Sequence, residues 1–160
     1  MTPTAARLLL VLASAFSGLL AGASADRYLV QVPAWRHLDV MTWAEHSRHA
    51  DMGNGRFWYP LLAFAATGLG VAVAIAVWQR TLAADGVALP AYLAAAASTS
   101  GLAFTFLAAP NLLRLHTPKD RPTTERSFTH FHRWGLPRAV LQIAAFPLNL
   151  WALWALVRVG

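Results

Sequence analysis

The side chains best suited to chemistry in this sequence are histidines, and all six lie in two polar segments, residues 26–56 and 110–136. In the first segment, His46 and His49 are three residues apart, so a helix places them one turn apart on the same side. Such a pair can share a metal ion or a substrate. A single imidazole can instead act as a general base near neutral pH. The pair makes this segment a candidate site.

The second polar segment carries His130 and His132, which a helix directs to different sides. We expect His130 to face the site, because Trp134 lies one turn away on the same side. Together with His46 and His49, these histidines form a candidate site for iron or copper, since imidazole suits both metals.

A polar stripe runs down the last apolar segment of the chain. Arg138, Gln142, Ala145, Asn149 and Ala152 follow one another at steps of four, three, four and three residues, which places them on one helix face. Polar side chains are costly in contact with lipid, so this face must point into the protein. Two interpretations remain open: the amides form hydrogen bonds between helices, or Gln142 and Asn149 line a narrow pocket.

Other residues near the polar segments are candidates for binding a substrate or its charge. Arg114 or Arg138 can stabilise a developing oxyanion. Asp26 continues the four-residue spacing of Gly18 and Gly22, so we expect it to pair with one of these two arginines. The candidate substrate contacts are aromatic and amide side chains: Trp35, Asn111, Trp134, Gln142 and Asn149.

The composition excludes several kinds of site. The absence of cysteine removes disulfides, thiolate catalysis, iron–sulfur clusters and cysteine-ligated zinc. Hydrophobic residues make up 57% of the 160 residues and charged residues only 12%, whereas soluble domains carry roughly 25% charged residues. The net charge of +6 would favour a nucleic-acid partner in a soluble protein. Here the basic residues flank apolar segments, so we expect a lipid bilayer, and no nucleic acid, as partner.

Four apolar runs are each long enough to cross a bilayer as a helix, which takes about 20 residues. They predict an all-α fold, an integral membrane antiparallel four-helix bundle that forms a single transmembrane domain over residues 1–160. Four antiparallel spans place the two long loops, which contain helices of their own, on the same membrane face. The spans are expected near residues 5–25, 57–78, 89–109 and 135–157, and the loops at 26–56 and 110–136.

The two loops hold nine of the 13 lysines and arginines, so the positive-inside rule places them in the cytoplasm. The expected location is a bacterial cytoplasmic membrane. Within the loops, residues 34–52 contain neither proline nor glycine and predict one helix, and residues 124–134 predict another. One alternative remains for the first span, because Ala23-Ser24-Ala25 is typical of a signal-peptide cleavage site.

Several short motifs resemble the anthrone-oxygenase-like family of small four-span membrane proteins, and the resemblance covers most of the chain. The motifs are a glycine-rich first span, Pro33-Ala34-Trp35 in the first loop, Pro110-Asn111 at the end of the third span, and Trp134-x-x-x-Arg138 before the fourth. Members of this family often carry Asn after the Trp, where this chain has Gly135. The resemblance implies that oxygen converts the methylene of an anthrone, a lipophilic aromatic substrate, into a quinone carbonyl.

These observations favour a membrane-embedded oxygenase or related oxidoreductase that acts on a lipophilic aromatic molecule, with molecular oxygen as co-substrate. His46, His49 or His130 is then the base, and Arg114 or Arg138 the oxyanion partner. The reaction needs no cofactor in this scheme, or it uses iron or copper at the histidines. The alternatives are a membrane protein that binds or transports a metal or small ligand, and a structural subunit of a membrane complex. A homo-oligomer is compatible with each of them.

Overall fold

The computed structural model describes residues 1–82, 86–117 and 119–159, and all regular structure in these residues is helical. This confirms the predicted all-α class. In chain order the elements are α1 (Pro3–Asp26), a π-helical turn (Arg27–Gln31), α2 (Val32–Trp35), α3 (Val40–Ala50), α4 (Gly55–Trp78), α5 (Ala88–Leu113), a 3₁₀ turn (Arg114–His116) and α6 (Arg121–Val159).

The four long helices form an antiparallel bundle in which α1 and α5 each pack against both α4 and α6. Each helix is long and apolar enough to cross a membrane, which needs about 20 helical residues. The chain is therefore a multi-pass membrane protein, as predicted. The candidate spans are Pro3–Trp35, Gly55–Trp78, Ala88–His116 and Arg121–Arg158.

Small residues let the helices approach closely. A Cβ at Gly101 of α5 would lie 3.3 Å from Cγ of Gln142 on α6. Toward the far end of the bundle, where α1 begins, Leu10, Val73 and Ala152 are fully buried in one apolar core. The bundle is therefore well packed on the side away from the two polar segments.

The polar stripe of α6 points into the bundle, as expected. Asn149 is fully buried, and its Nδ2 donates hydrogen bonds to Ser17 Oγ at 3.2 Å and to the Ala145 carbonyl at 3.1 Å. Nearer the polar segments, Gln142 Oε1 accepts a hydrogen bond from Ser24 Oγ at 2.6 Å. Both amides therefore join α6 to α1, as the first interpretation of the stripe expects, and of the two only Gln142 also lines a cavity.

The second long loop is shorter than predicted, because most of it is helix. α5 continues to Leu113, and α6 begins at Arg121 and runs without a break into the fourth span. Pro137 lies inside α6 and removes one backbone hydrogen bond. The helix persists because Ser127 and Phe131 continue its buried face toward the N-terminus.

The helix predicted over residues 34–52 is interrupted at residues 36–39. Asp39 starts α3 as its N-cap, because its carboxylate accepts a hydrogen bond from the Met41 backbone N–H at 3.1 Å. Arg121 donates to the other Asp39 oxygen at 2.6 Å, and this hydrogen bond lowers the pKa of the carboxyl. The contact joins the beginning of α3 to the beginning of α6.

We call α2, α3 and residues 121–134 of α6 the cap, since together they cover one end of the bundle. The core of the cap is aromatic. Trp43 is fully buried, and its ring centroid lies 4.8 Å from that of Phe128 and 6.3 Å from that of Phe131. The cap is thus packed like a small domain core and gives fixed positions to the side chains below it.

At Gly135, helix α6 lies close to Tyr28 of the π-helical turn that follows α1. A Cβ at this position would lie 1.7 Å from the Tyr28 hydroxyl oxygen. We expect Gly135→Ala to lower the free energy of unfolding by about 1–3 kcal/mol, because Tyr28 must move. In a Tyr28→Ala background the same change should be neutral or stabilising, since alanine is the better helix former. Unfolding followed by circular dichroism in mixed detergent measures both, and equal effects in the two backgrounds would contradict the contact.

Candidate functional site

A cavity of about 250 Å³ lies below the cap, where the cap ends of α1, α4, α5 and α6 meet. Most of its wall is apolar and comes from all four helices, with Leu20, Ala63, Leu112 and Phe131 as examples. The polar side chains of the wall are Ser24, Arg27, Asp51, Arg56, Tyr59, Thr105, Arg138 and Gln142. Three guanidinium groups and one carboxylate give this cavity a positive charge.

Part of the cavity wall is exposed at the surface of the bundle. The exposed residues of the wall all belong to α4 and α5, with Tyr59 38% and Leu113 59% exposed. Phe64 and Phe106 stand on the same surface, one on each helix, with ring centroids 6.4 Å apart. Both helices are candidate membrane spans here. The exposed part of the wall therefore belongs to helices that can contact lipid.

Arg27 and Asp51 form a buried ion pair in the cavity wall. Arg27 Nη2 donates a hydrogen bond to Asp51 Oδ1, and the two side chains are only 8% and 3% exposed. The Arg27 guanidinium also lies 4.8 Å from the ring centroid of Tyr59 on α4. The pair thus joins the end of α1 to the segment between α3 and α4.

The buried face of α1 continues through Ser24 to Arg27, at the start of the π-helical turn. Arg27 is its first residue and is buried, whereas Asp26 is exposed and accepts a hydrogen bond from Gln31 Nε2. The predicted pairing of Asp26 with Arg114 or Arg138 is therefore wrong. Such turns rotate the side chains that follow them, and they are frequent at functional sites.

Arg138 forms no ion pair with a carboxylate in the described part of the chain. Its guanidinium lies 5.6 Å from the ring centroid of Phe131 and beside the Tyr28 hydroxyl. One turn further along α6, Gln142 uses its oxygen to accept from Ser24, and its Nε2 donates no hydrogen bond to any described residue. Both side chains line the cavity with N–H donors. This wall is therefore suited to a ligand that brings hydrogen-bond acceptors, above all a negatively charged oxygen.

The four candidate histidines do not form a common site in the described residues. His46, His49 and His130 are exposed, none of them lines the cavity, and His49 instead lies 3.0 Å from Glu45. The described residues contain no group of three or more histidine, aspartate or glutamate side chains that could hold a metal ion. The predicted iron or copper site at His46, His49, His130 and His132 is thus absent from them. α3 turns His46 and His49 outward because its buried face carries Trp43, Ala44 and Ser47.

His132, not His130, is the histidine that faces inward, so the predicted orientation is reversed. Its ring centroid lies 4.0 Å from Phe128, 6.0 Å from Trp35 and 6.1 Å from Trp43. His132 Nδ1 lies 2.8 Å from the Phe128 carbonyl. The reason is the buried face of α6, which presents Phe131 and the neighbouring His132 to α3. His132 is thus part of the cap core and does not line the cavity.

Five other predicted residues lie away from the cavity wall. Trp35 is buried in the cap, and Asn149 holds α6 to α1 deeper in the bundle. Asn111 Nδ2 donates to the Leu107 carbonyl at 3.1 Å, and Trp134 stacks on Phe104 with centroids 6.1 Å apart. Arg114 is exposed. Of the predicted site residues, Arg138 and Gln142 alone line the cavity.

Sequence reasoning missed the polar residues that α1, the α3–α4 connection and α4 contribute: Ser24, Arg27, Asp51, Arg56 and Tyr59. Helical spacing in the sequence could have indicated two of them, Asp51 and Arg27. Asp51 lies four residues after Ser47 and so continues the buried face of α3, and Arg27 lies three residues after Ser24 on α1.

No protein-family model matches the chain, and no curated protein or solved structure matches it significantly. The resemblance to the anthrone-oxygenase-like family therefore stays a prediction, carried by the motifs that suggest it.

Removing one partner of the Arg27–Asp51 pair leaves an uncompensated buried charge. We expect Asp51→Ala to lower the free energy of unfolding by about 3–5 kcal/mol, since a lone buried guanidinium is costly. The double variant Arg27→Met/Asp51→Ala should regain most of this loss, because neither charge is then buried. Denaturation of the three proteins in mixed detergent measures the difference. A double variant as unstable as Asp51→Ala would show that the pair is not the cause.

Proposed function

We propose that this protein binds a lipophilic aromatic small molecule with an acidic oxygen, takes it from the bilayer, and oxidises it with molecular oxygen. The observation that carries the proposal is Arg138, a guanidinium without a carboxylate partner among the described residues, on the wall of a largely apolar cavity. Such a combination suits a ligand with an apolar body and one negatively charged oxygen.

The arrangement of donors on α6 supports this ligand class. Arg138 and Gln142 are four residues apart, so they lie one turn apart on the same helix face. A single oxygen between them accepts hydrogen bonds from a guanidinium and an amide. The hydrogen bond from Ser24 fixes the amide oxygen of Gln142 and leaves its N–H groups for the ligand. In a site that excludes water, such fixed donors stabilise an oxyanion much better than water does.

The exposed part of the cavity wall supports delivery from the bilayer. Arg56 lines the cavity and is exposed at the start of α4, two residues before the exposed Trp58. Arginine and tryptophan side chains commonly lie at the boundary between lipid tails and headgroups. An amphiphile whose polar group rests at this depth meets Arg56 first and Arg138 further in.

The oxidation itself follows from the resemblance and from Arg138. A methylene between aromatic rings and conjugated with a carbonyl loses a proton to give an enolate, and the electron pair of the C–H bond moves to the carbonyl oxygen. Arg138 and Gln142 are suited to stabilise that oxyanion. The overall change converts the methylene and one oxygen molecule into a carbonyl and one water molecule. One oxygen atom enters the product, the other leaves in water, and no other reductant is consumed.

Ligand binding tests the role of Arg138. We expect the protein in lipid nanodiscs to bind anthracene-9-carboxylate, and Arg138→Gln to weaken this binding about 10- to 100-fold, because hydrogen bonds to charged groups contribute about 1.5–3 kcal/mol. Fluorescence titration measures the dissociation constant. The uncharged 9-methylanthracene should bind both proteins alike.

Arg114→Gln is the matched control, since Arg114 lies at the same end of the bundle but is exposed and outside the cavity wall. It should bind the carboxylate as the unchanged protein does. Equal losses in the two variants would mean that general positive charge, and not the cavity, attracts the ligand.

Turnover is a separate test. Anthrone supplied to the protein in nanodiscs under oxygen-18 gas should give anthraquinone with one labelled carbonyl, faster than in empty nanodiscs, and Arg138→Gln should slow the reaction at least about 10-fold. Product without the label would contradict an oxygenase reaction. Binding of the carboxylate without any turnover would leave a ligand-binding protein.

A further inference from the structure

We infer that Asp51 is the proton acceptor for the ligand that Arg138 holds. This inference rests on the proposed function and adds the group that removes the proton. The sequence favoured a histidine for this step, but none of the six histidines lines the cavity. Within the described chain, Asp51 is the one carboxylate of the cavity wall.

The Arg27 contact fixes Asp51 and leaves part of the carboxylate free. Arg27 Nη2 donates to Oδ1, while Oδ2 accepts no hydrogen bond from any described residue. The side chain is 3% exposed, so the carboxylate is held in the wall and largely shielded from water. Its free oxygen has lone pairs that can take a proton from a molecule in the cavity.

The transfer moves one negative charge within the cavity. The methylene proton moves to Asp51 Oδ2, the C–H electron pair becomes the enolate, and the negative charge passes from the carboxylate to the ligand oxygen. Arg27 stays beside the now neutral carboxyl group, which opposes the transfer, and the hydrogen bonds of Arg138 and Gln142 to the enolate oxygen must outweigh this cost. An aspartate base combined with an oxyanion site is an established arrangement for removing a proton next to a carbonyl. No oxidant takes part in this step, so it can be observed without oxygen.

Exchange of the ligand proton measures the step directly. Anthrone is incubated in deuterated buffer, without oxygen, with the full-length protein in nanodiscs, and loss of the methylene proton signal is followed by nuclear magnetic resonance. We expect exchange well above that in empty nanodiscs, and Asp51→Asn to slow it about 100-fold or more. Binding of anthracene-9-carboxylate should be unchanged or tighter, because the variant removes a negative charge from the cavity.

Asp39→Asn is the matched control. Asp39 also pairs with an arginine, Arg121, but the pair is exposed and lies outside the cavity wall. This variant should exchange as the unchanged protein does. If Asp51→Asn fails to fold, Arg27→Gln/Asp51→Asn removes both charges and should fold, bind less carboxylate than the unchanged protein, and still fail to exchange. A conservative Asp51→Glu should retain part of the exchange.

Two results would overturn the inference. One is exchange at the unchanged rate in either folded variant that lacks the Asp51 carboxylate. The other is exchange by the unchanged protein no faster than in empty nanodiscs. The first result leaves the proposed function standing with another base, whereas the second also counts against its enolate step. Ligand binding by Arg138 fails separately, when Arg138→Gln leaves carboxylate binding unaltered or when no carboxylate binds.

Discussion

The cost of enclosing guanidinium groups among membrane-spanning helices governs this structure. A charge in such a place must be paired, solvated or used. Arg27 is paired, and its contact with Asp51 joins the end of α1 to the segment that begins α4. Arg138 has no such partner in the described chain, although it lies only a few ångströms from aromatic rings. The fold pairs Arg27 with a carboxylate and gives Arg138 none among the described residues.

The cap covers the end of the bundle at which Arg27 and Arg138 line the cavity. Trp43 and Phe131 fill its core, and the Asp39–Arg121 contact joins its two helices at the surface. The cavity lies beneath the cap, and electrostatic interactions in a partly buried site are stronger than in water. The exposed part of its wall lies on α4 and α5, both of which are candidate membrane spans.

Much of the fold could be predicted from the sequence, because long apolar runs and four-residue spacing of small residues determine a membrane bundle almost directly. The inward face of α6 was predictable for the same reason, since polar groups such as Gln142 and Asn149 avoid lipid. The break at residues 36–39, inside the helix predicted over residues 34–52, could not be predicted from the sequence. The N-cap role of Asp39 competes with a continuous helix by a small free energy that a sequence pattern does not reveal.

The site could be predicted only in part. Arg138 and Gln142 lie on a regular helix, so their common face follows from spacing alone. Asp26 continues the exposed position of Gly22, whereas its neighbour Arg27 continues the buried face of Leu20 and Ser24. The prediction of a histidine site was based on residue type. The direction in which each histidine points is instead determined by the apolar face of its helix, which packs against the protein. In α3 that face belongs to Trp43, and His46 and His49 point away as a consequence.

The most direct test of the account is a structure of the protein in lipid nanodiscs with a brominated anthracene-9-carboxylate, in which the bromine locates the ligand. The account predicts that the rings lie between α4 and α5 and that a carboxylate oxygen lies about 3 Å from the Arg138 guanidinium. A ligand bound elsewhere, or an Arg138 paired with a carboxylate of the chain itself, would contradict it.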